Sequence, residues 1–252
     1  PAATASSTTY WMAGMSTTGS ISFGMAFVAG RNRVPSPAAG MTAFVMGAGM
    51  GPAYPARKLA VVSDVESEKR ALRAELRERR RIRTSTQSSD DSAALTGHLT
   101  ALATGLGANS LAAYLSMPDE PDTRPFLRWT AEQGLRVLLP VSRDDGLLDW
   151  APYDGQEEDA DILGMPTPTS QLLGPIAIND VDLILVPAAA VDRAGMRMGW
   201  GRGYFDKTLG SMENCPPVYA VIFDDELVDA VPRERHDMPV DGVVTPGGIV
   251  TF

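Results

Sequence analysis

Ten residues, RMGWGRGYFD at 197–206, place glycines at 199, 201 and 203 and an aspartate at 206 directly after the stretch DLILVPAAAVDRAGM. Glycine has no Cβ, so its backbone N–H can approach an anion closely and its φ can turn positive, the conformations of an anion-binding nest. A helix starting at Tyr204 would add the partial positive charge of its N-terminus. Asp206, in the first turn, would then offer oxygen to a hard cation such as Mg2+. The chemistry served is the handling of a polyphosphate. The stretch is neither a Walker loop, which needs GK[ST], nor the dinucleotide GxGxxG. Alone, it fits a plain turn with a favourable end charge on Asp206 equally well.

The elements around it follow from pattern. SLAAYLS (110–116), LRVLLPV (135–141), VDLILVP (181–187) and VYAVIF (218–223) are short apolar runs bounded by Pro, Gly and Asp, as strands buried on both faces are. A short helix across DTRPFLRWTAEQG, ending at Gly134, separates the first two, and a helix over 204–212 follows the third. Strands alternating with helices predict a three-layer α/β/α fold with a mostly parallel central sheet, Rossmann-like. In such sheets ligands collect beyond the carboxyl ends of strands, where the glycine loop falls. Upstream, SDVE offers Ser63 and Glu66 as a capping box. SEKRALRAELRERRRIR is then strongly helical, with Leu72 and Leu76 on a buried stripe and Lys69, Arg73, Arg77 and Arg80 on a neighbouring one. A second helix is expected over 92–104, capped from 89–91. The stretch 144–180, with scattered Gly and Pro, is expected to hold an extra hairpin and long loops.

Residues 1–62 differ from the rest. They contain six of the twelve methionines and no charged side chain before Arg31, so a disordered or non-native leader is expected, with the folded domain at 63–252. The uncharged stretch 10–29 is interrupted throughout by Gly, Ser and Thr and follows no basic cluster, which argues against membrane insertion. Net charge is +3 over residues 1–65 and −12 over the remainder. An acidic body argues against broad nucleic-acid binding, whereas clustered arginines still permit small anionic ligands. One cysteine, Cys215, excludes an internal disulfide and multi-cysteine metal clusters and suits a reducing cytoplasm. A cytoplasmic monomer is expected.

Taken together, RMGWGRGYFD after DLILVPAAAVDRAGM resembles the signature of the 5-formyltetrahydrofolate cyclo-ligase family. KRALR (69–73), YLSMPDEPDT (114–123) and VPRERHDMPVDGVVT (231–245) are similar to three further family stretches, in the same order. The resemblance spans about residues 66–245. It implies ATP-dependent closure of 5-formyltetrahydrofolate, polyglutamylated or not, to 5,10-methenyltetrahydrofolate. A formyl group on nitrogen is an amide, with a poorly electrophilic carbon and an oxygen that would have to leave as hydroxide. Phosphorylating that oxygen converts it into a leaving group, a task demanding positioning and charge neutralisation above all.

By resemblance, Lys69 and Arg73 reach the ATP phosphates; their i, i+4 spacing places both on one helix face. Without it, a solvated basic stripe paired with Glu66 and Glu75 is the simpler reading. Also by resemblance, Arg197, Met198, Gly199, Trp200, Gly201, Arg202, Gly203, Tyr204 and Phe205 wrap the nucleotide. Arg197 and Arg202 neutralise charge on the transferring phosphoryl group, and Asp206 and Asp237 hold Mg2+. Glu120 lies near the formyl end of the folate, to hydrogen-bond pterin N–H groups or orient N10, with Leu115, Met117 and Tyr204 as pocket walls. Trp150 and the 164–166 turn either complete that pocket or belong to the core. Glu120 alone also fits a solvated acid in PDEPD. Asp206→Asn is expected to cut turnover more than stability, since an end-of-helix charge contributes only about 0.3–1 kcal/mol.

His98 is expected to be structural or at the surface. His236 neighbours Asp237, but no serine or cysteine nucleophile motif accompanies the pair. Three departures stand out: Trp200 where relatives carry arginine or tyrosine, Phe205 for a frequent tyrosine, and Arg202 where glycine or lysine is commoner. Arg202 is expected to compensate for the cation absent at 200. Two rivals stay open: a sugar-phosphate isomerase or CoA-transferase type of enzyme on a similar sheet, and a family member that binds folate or nucleotide without turnover.

Overall fold

The computed structural model describes residues 57–155 and 158–252. The expected leader lies outside this range apart from its last residues, and so does the uncharged stretch 10–29. Helix α1 (Arg57–Arg81) opens the described chain. Ser63 lies inside it, so the SDVE capping box does not start a helix. The box that forms is the next one: Thr84 Oγ1 accepts from Gln87 N–H and the Gln87 side chain accepts from Thr84 N–H, starting helix α2 (Ser85–Gly105) well before position 92. Residues 89–91, expected as caps, are therefore helical.

Seven strands form the main sheet. In chain order they are β1 (Ser110–Ala112), β2 (Arg136–Ser142), β3 (Leu148–Pro152), β6 (Leu183–Pro187), β9 (Val218–Val221), β11 (Gly242–Thr245) and β12 (Gly248–Thr251). Their spatial order is β12-β11-β9-β6-β1-β2-β3, parallel across the five central strands and antiparallel at both edges. The antiparallel edges are what the apolar runs did not show. β3 belongs to the 144–180 stretch, which also contains the expected hairpin, β4 (Glu158–Ala160) with β5 (Pro166–Pro168).

The strands bury both faces by strict alternation. Leu183, Leu185, Val137, Leu139 and Val221 pack with Leu95 and Leu99 of α2 and with Phe126 and Leu127 of α3 (Arg124–Glu132). Ile184, Val186, Leu138 and Ala220 pack on the opposite side with Leu209 of α4 (Tyr204–Ser211), Ile178 and Trp150. The layers are helix, sheet and helix, as expected. Leu76 of α1 is fully buried against Ala189, Ala190, Met198 and Val231, with Leu72 beside it. That contact anchors α1 over the loops at the carboxyl end of β6. Among the described residues, no helix is long and apolar enough to cross a membrane.

Candidate active site

The glycine loop does not follow β6 directly. A small hairpin intervenes, β7 (Ala190–Asp192) with β8 (Arg197–Met198), joined at its other side by β10 (Leu227–Val228). The hairpin brings the chain back to where β6 ends, and there Arg197 Nη1 donates to the Pro187 carbonyl at 3.2 Å. Beyond β8, the Gly199 carbonyl accepts from Arg73 Nε at 2.9 Å. Gly201 (φ 98°) and Gly203 (φ 71°) take left-handed conformations. A Cβ on Gly201 would meet the Arg73 guanidinium at 3.2 Å, so the loop approaches α1 where glycine alone fits without strain. Gly203 caps α4 without any side-chain hydrogen bond, leaving the first-turn N–H groups without a side-chain acceptor.

Two clefts meet at this loop. The first, about 370 Å³, is lined by Lys69, Arg73, Gly201, Lys207, Glu234 and Asp237 among others. The second, about 320 Å³, is lined by Arg80, Tyr114, Leu115, Glu120, Met165 and Trp200 among others. Gly199, Arg202, Gly203 and Asp206 line both. The two clefts therefore share a wall made of the loop and the first turn of α4.

Successive loop side chains diverge between the clefts. Lys69, Arg73, Met198, Gly199, Gly201, Arg202 and Gly203 line the first. Arg197, Trp200, Tyr204 and Phe205 line only the second. Trp200 departs furthest from expectation. Its ring lies against α1, with the guanidinium carbons of Arg77 and Arg80 at 5.2 and 4.7 Å from its centroid. It is a wall of the second cleft, not a substitute for a phosphate-facing cation. Arg202 is exposed, forms no ion pair among the described residues and faces both clefts.

The first cleft is a charged seat near neutrality. Four cations, Lys69, Arg73, Arg202 and Lys207, meet four carboxylates, Glu66, Asp206, Glu234 and Asp237. Lys69 is not on a solvated face. It is 3% exposed, and its ammonium donates to Glu234 at 2.9 Å and Asp237 at 2.7 Å. Burial pulls its pKa down, but hydrogen bonds and charges from Asp237 and Glu234 outweigh this and hold it above the ordinary lysine value. Arg73 lies 3.9 Å from Glu66, whereas Glu75 pairs with exposed Arg79. Glu234, His236 and Asp237 bring ligand atoms within 4.8 Å of one another. Sequence reasoning missed Glu234; its place three residues before Asp237, in the turn where Glu234 N–H donates to Asp237 Oδ2, was the available signal. His236 Nε2 is 4.0 Å from Asp237, too far for the hydrogen bond a catalytic dyad requires.

Arg197 and Asp206 form one unit: Nη2 donates to Asp206 Oδ1 at 2.6 Å, and the Arg197 side chain is 2% exposed. Arg197 therefore positions Asp206. The pair makes Asp206 more than an end-of-helix charge, so its loss should cost more stability than an end charge alone, about 0.3–1 kcal/mol. We expect Asp206→Asn to cost about 1.5–3 kcal/mol of stability, the range for a hydrogen bond to a charged group. Urea titration of both proteins checks this, and an unchanged midpoint would remove the pair from the account.

In the second cleft Leu115 is buried, and Met117 donates its backbone N–H to Glu120 Oε2 at 3.0 Å. Burial holds the Glu120 carboxyl above its ordinary range despite that N–H and the nearby Arg80 charge. A raised folded-state pKa gives a contribution to stability present below the ordinary glutamate value and lost as pH rises through the folded value. Glu120→Gln should therefore raise the melting temperature at about pH 8 and leave it nearly unchanged at about pH 4. Melting curves at the two pH values check this; equal shifts at both would contradict it. Tyr204 Oη donates to the Arg143 carbonyl at 2.9 Å, fixing its ring as a wall. Met165 and Pro166 of the 164–166 turn also line the cleft. Trp150 does not. It is fully buried in the core with Leu138, Ile178 and Ile184, where the antiparallel edge strand β3 points it inward.

The family model described as the 5-formyltetrahydrofolate cyclo-ligase family matches residues 65–246. The chain is 37% identical over 190 residues to the 5-formyltetrahydrofolate cyclo-ligase of Mycolicibacterium smegmatis, covering 73% of this chain and 97% of that protein. It is 32% identical over 148 residues to the Escherichia coli K12 protein of the same name, covering 56% of this chain and 80% of the relative. Among solved structures, the Aquifex aeolicus 5,10-methenyltetrahydrofolate synthetase superposes with a TM-score of 0.62 at 23% identity, over 73% of this chain and 92% of that one. The Mycoplasma pneumoniae synthetase gives 0.59 at 18% identity, over 71% and 99%.

Proposed function

The chain belongs to the 5-formyltetrahydrofolate cyclo-ligase family, and from that premise we propose that it closes 5-formyltetrahydrofolate to 5,10-methenyltetrahydrofolate, consuming ATP and releasing ADP and phosphate. The observation that carries this reading is the shared wall: Gly199, Arg202, Gly203 and Asp206 line both clefts. ATP lies in the first cleft, its phosphates against Lys69, Arg73 and backbone N–H groups of the loop and the α4 N-terminus. The folate lies in the second, against Leu115, Met117, Glu120 and Tyr204, with its formyl group at the wall.

The formyl oxygen attacks the γ-phosphorus there, the bond to the β-phosphate oxygen breaks, and ADP departs. The amide becomes an iminium phosphate. N10 then attacks the activated carbon, the carbon–oxygen bond breaks, and the leaving phosphate takes the N10 proton. Arg202, exposed at the junction, neutralises charge on the transferring group. The loop and α1 hold the two reactants in register, which is where most of the acceleration in such a transfer arises.

The oxygen ligands fit Mg2+. A seat with as many carboxylates as cations is a poor host for a tetra-anion unless a further positive charge accompanies it, and hard carboxylate oxygens suit that ion. Asp237 and Glu234, which belong to one cluster of ligand atoms, would hold it, with Asp206 of the same cleft outside that cluster, and the bound ion would supply charge neutralisation to the phosphates. The catalytic region is residues 63–252, acting as a monomer. Its exposed free thiol, Cys215, suits a reducing cytoplasm.

Substrate carrying ¹⁸O in the formyl group tests the reading. One labelled phosphate and one ADP per methenyl product are expected, and unlabelled phosphate would rule out transfer to that oxygen.

A further inference from the structure

The floor of the second cleft contains polar atoms whose state the proposed chemistry does not use. Arg80 and Tyr114 are each 4% exposed. Arg80 Nη1, Tyr114 Oη and Trp200 Nε1 are all buried without a hydrogen-bond partner among the described residues. All three side chains line the same cleft as Glu120. Arg80 is not loose: Nε and Nη2 donate to the two Glu226 oxygens at 2.6 and 2.9 Å, and Nη2 also donates to the Ala188 carbonyl at 2.9 Å. That fork fixes the guanidinium and leaves Nη1 as the nitrogen without an acceptor. Buried donors without acceptors oppose folding, and native proteins keep few of them. Three in one cleft mark a place where a ligand supplies what the protein withholds.

The charges say what kind of ligand this is. Arg77, Arg80, Arg197 and Arg202 are matched by Asp119, Glu120, Asp161 and Asp206 in the lining, so the cleft is neutral in sum, and a phosphate would find no net attraction there. Three donors next to one carboxylate complement a neutral edge that presents a carbonyl oxygen beside N–H groups. A 2-amino-4-oxopyrimidine has such an edge: O4 accepts, while N3–H and the 2-amino group donate.

Resting on the folate reading above, we propose that Arg80, Tyr114 and Trp200 form a carbonyl seat which, with Glu120, reads the 2-amino-4-oxo edge of the pterin and rejects its 4-amino counterpart. Arg80 and Trp200 offer only N–H groups at this point, so a 4-amino group would set donor against donor. A site built to hydrogen-bond a polar group discriminates strongly against an analogue lacking it, because its own groups are then stranded. Trp200 thereby acquires a role that explains why this chain has an aromatic indole at the position.

The test is equilibrium binding, without nucleotide, of 5-formyltetrahydrofolate and of its 4-amino-4-deoxy analogue to wild type, Tyr114→Phe and Trp200→Phe. Arg80 is left intact because its loss would strand Glu226. Wild type should prefer the 4-oxo compound by about tenfold or more. Each variant should lose about threefold to tenfold in affinity for the 4-oxo compound, with little change for the analogue; Tyr114→Phe should show no fall in melting temperature, since it removes only an unpaired buried hydroxyl. Equal binding of both compounds by wild type, or a preference surviving intact in both variants, overturns the seat. If wild type binds neither compound, the folate reading and the seat fail together. If the preference and its loss appear but ring closure with ATP does not, the seat stands and the cyclisation reading fails.

Discussion

Glu226→Ala should lower the unfolding free energy by about 3–5 kcal/mol, a large share of the total for a domain of this size. Glu226 is 2% exposed, and its two oxygens take the fork of an equally buried Arg80 across 146 residues of chain. Removing the carboxylate leaves a guanidinium in the interior with one carbonyl as its acceptor and no hydrogen-bonded counter-charge. Burial raises the Glu226 pKa and Arg80 opposes it, so neither member is comfortable without the other. Replacing both, Arg80→Met with Glu226→Leu, should recover most of the lost stability, because a buried pair often contributes no more than apolar residues of similar volume. Chemical denaturation of the three variants measures this. If the single and double variants are equally unstable, packing and not charge holds α1 to the loop after β9.

Lys69→Met should reduce kcat/KM for ATP by about a hundredfold to a thousandfold, the range for removing one preorganised charge from a transferring phosphoryl group. Lys69 is the cation between Glu234 and Asp237, 2.9 and 2.7 Å away. Without it, the first cleft holds four carboxylates against three cations, and a polyphosphate meets net repulsion. The folate KM should move far less, since Lys69 does not line the second cleft. Initial rates with each substrate varied in turn separate the two. A loss shared equally between the substrates would place Lys69 in a general structural role.

The sheet was legible because alternation and run length carry it. LILVP within β6 sends Leu183 and Leu185 to one face and Ile184 and Val186 to the other, as its pattern implies. Helix starts were less so: SDVE and TSTQ both satisfy the capping pattern, and only packing decides that Thr84 caps while Ser63 lies within a longer helix. The site divides in the same way. The position of the glycine loop and Asp206 beside the clefts was legible from local chemistry, because a run of glycines before a helix is itself a physical signal. Lys69 and Arg73 look like a solvated stripe in isolation, since their burial depends on Glu234, Asp237 and a Gly199 carbonyl more than a hundred residues away. That Trp200 lines the second cleft and not the first was not legible, because sequence order does not say which side of a loop a residue faces. Trp150 went to the core through the antiparallel edge strand, which no apolar run announced.

The most direct measurement follows methenyl absorbance after mixing the protein with 5-formyltetrahydrofolate, Mg2+ and ATP, and with each of the three omitted in turn. Ring closure should require all three and should yield one ADP for every methenyl product. Closure at the same rate with nucleotide withheld would show that the loop between the two clefts does not work by transferring phosphate.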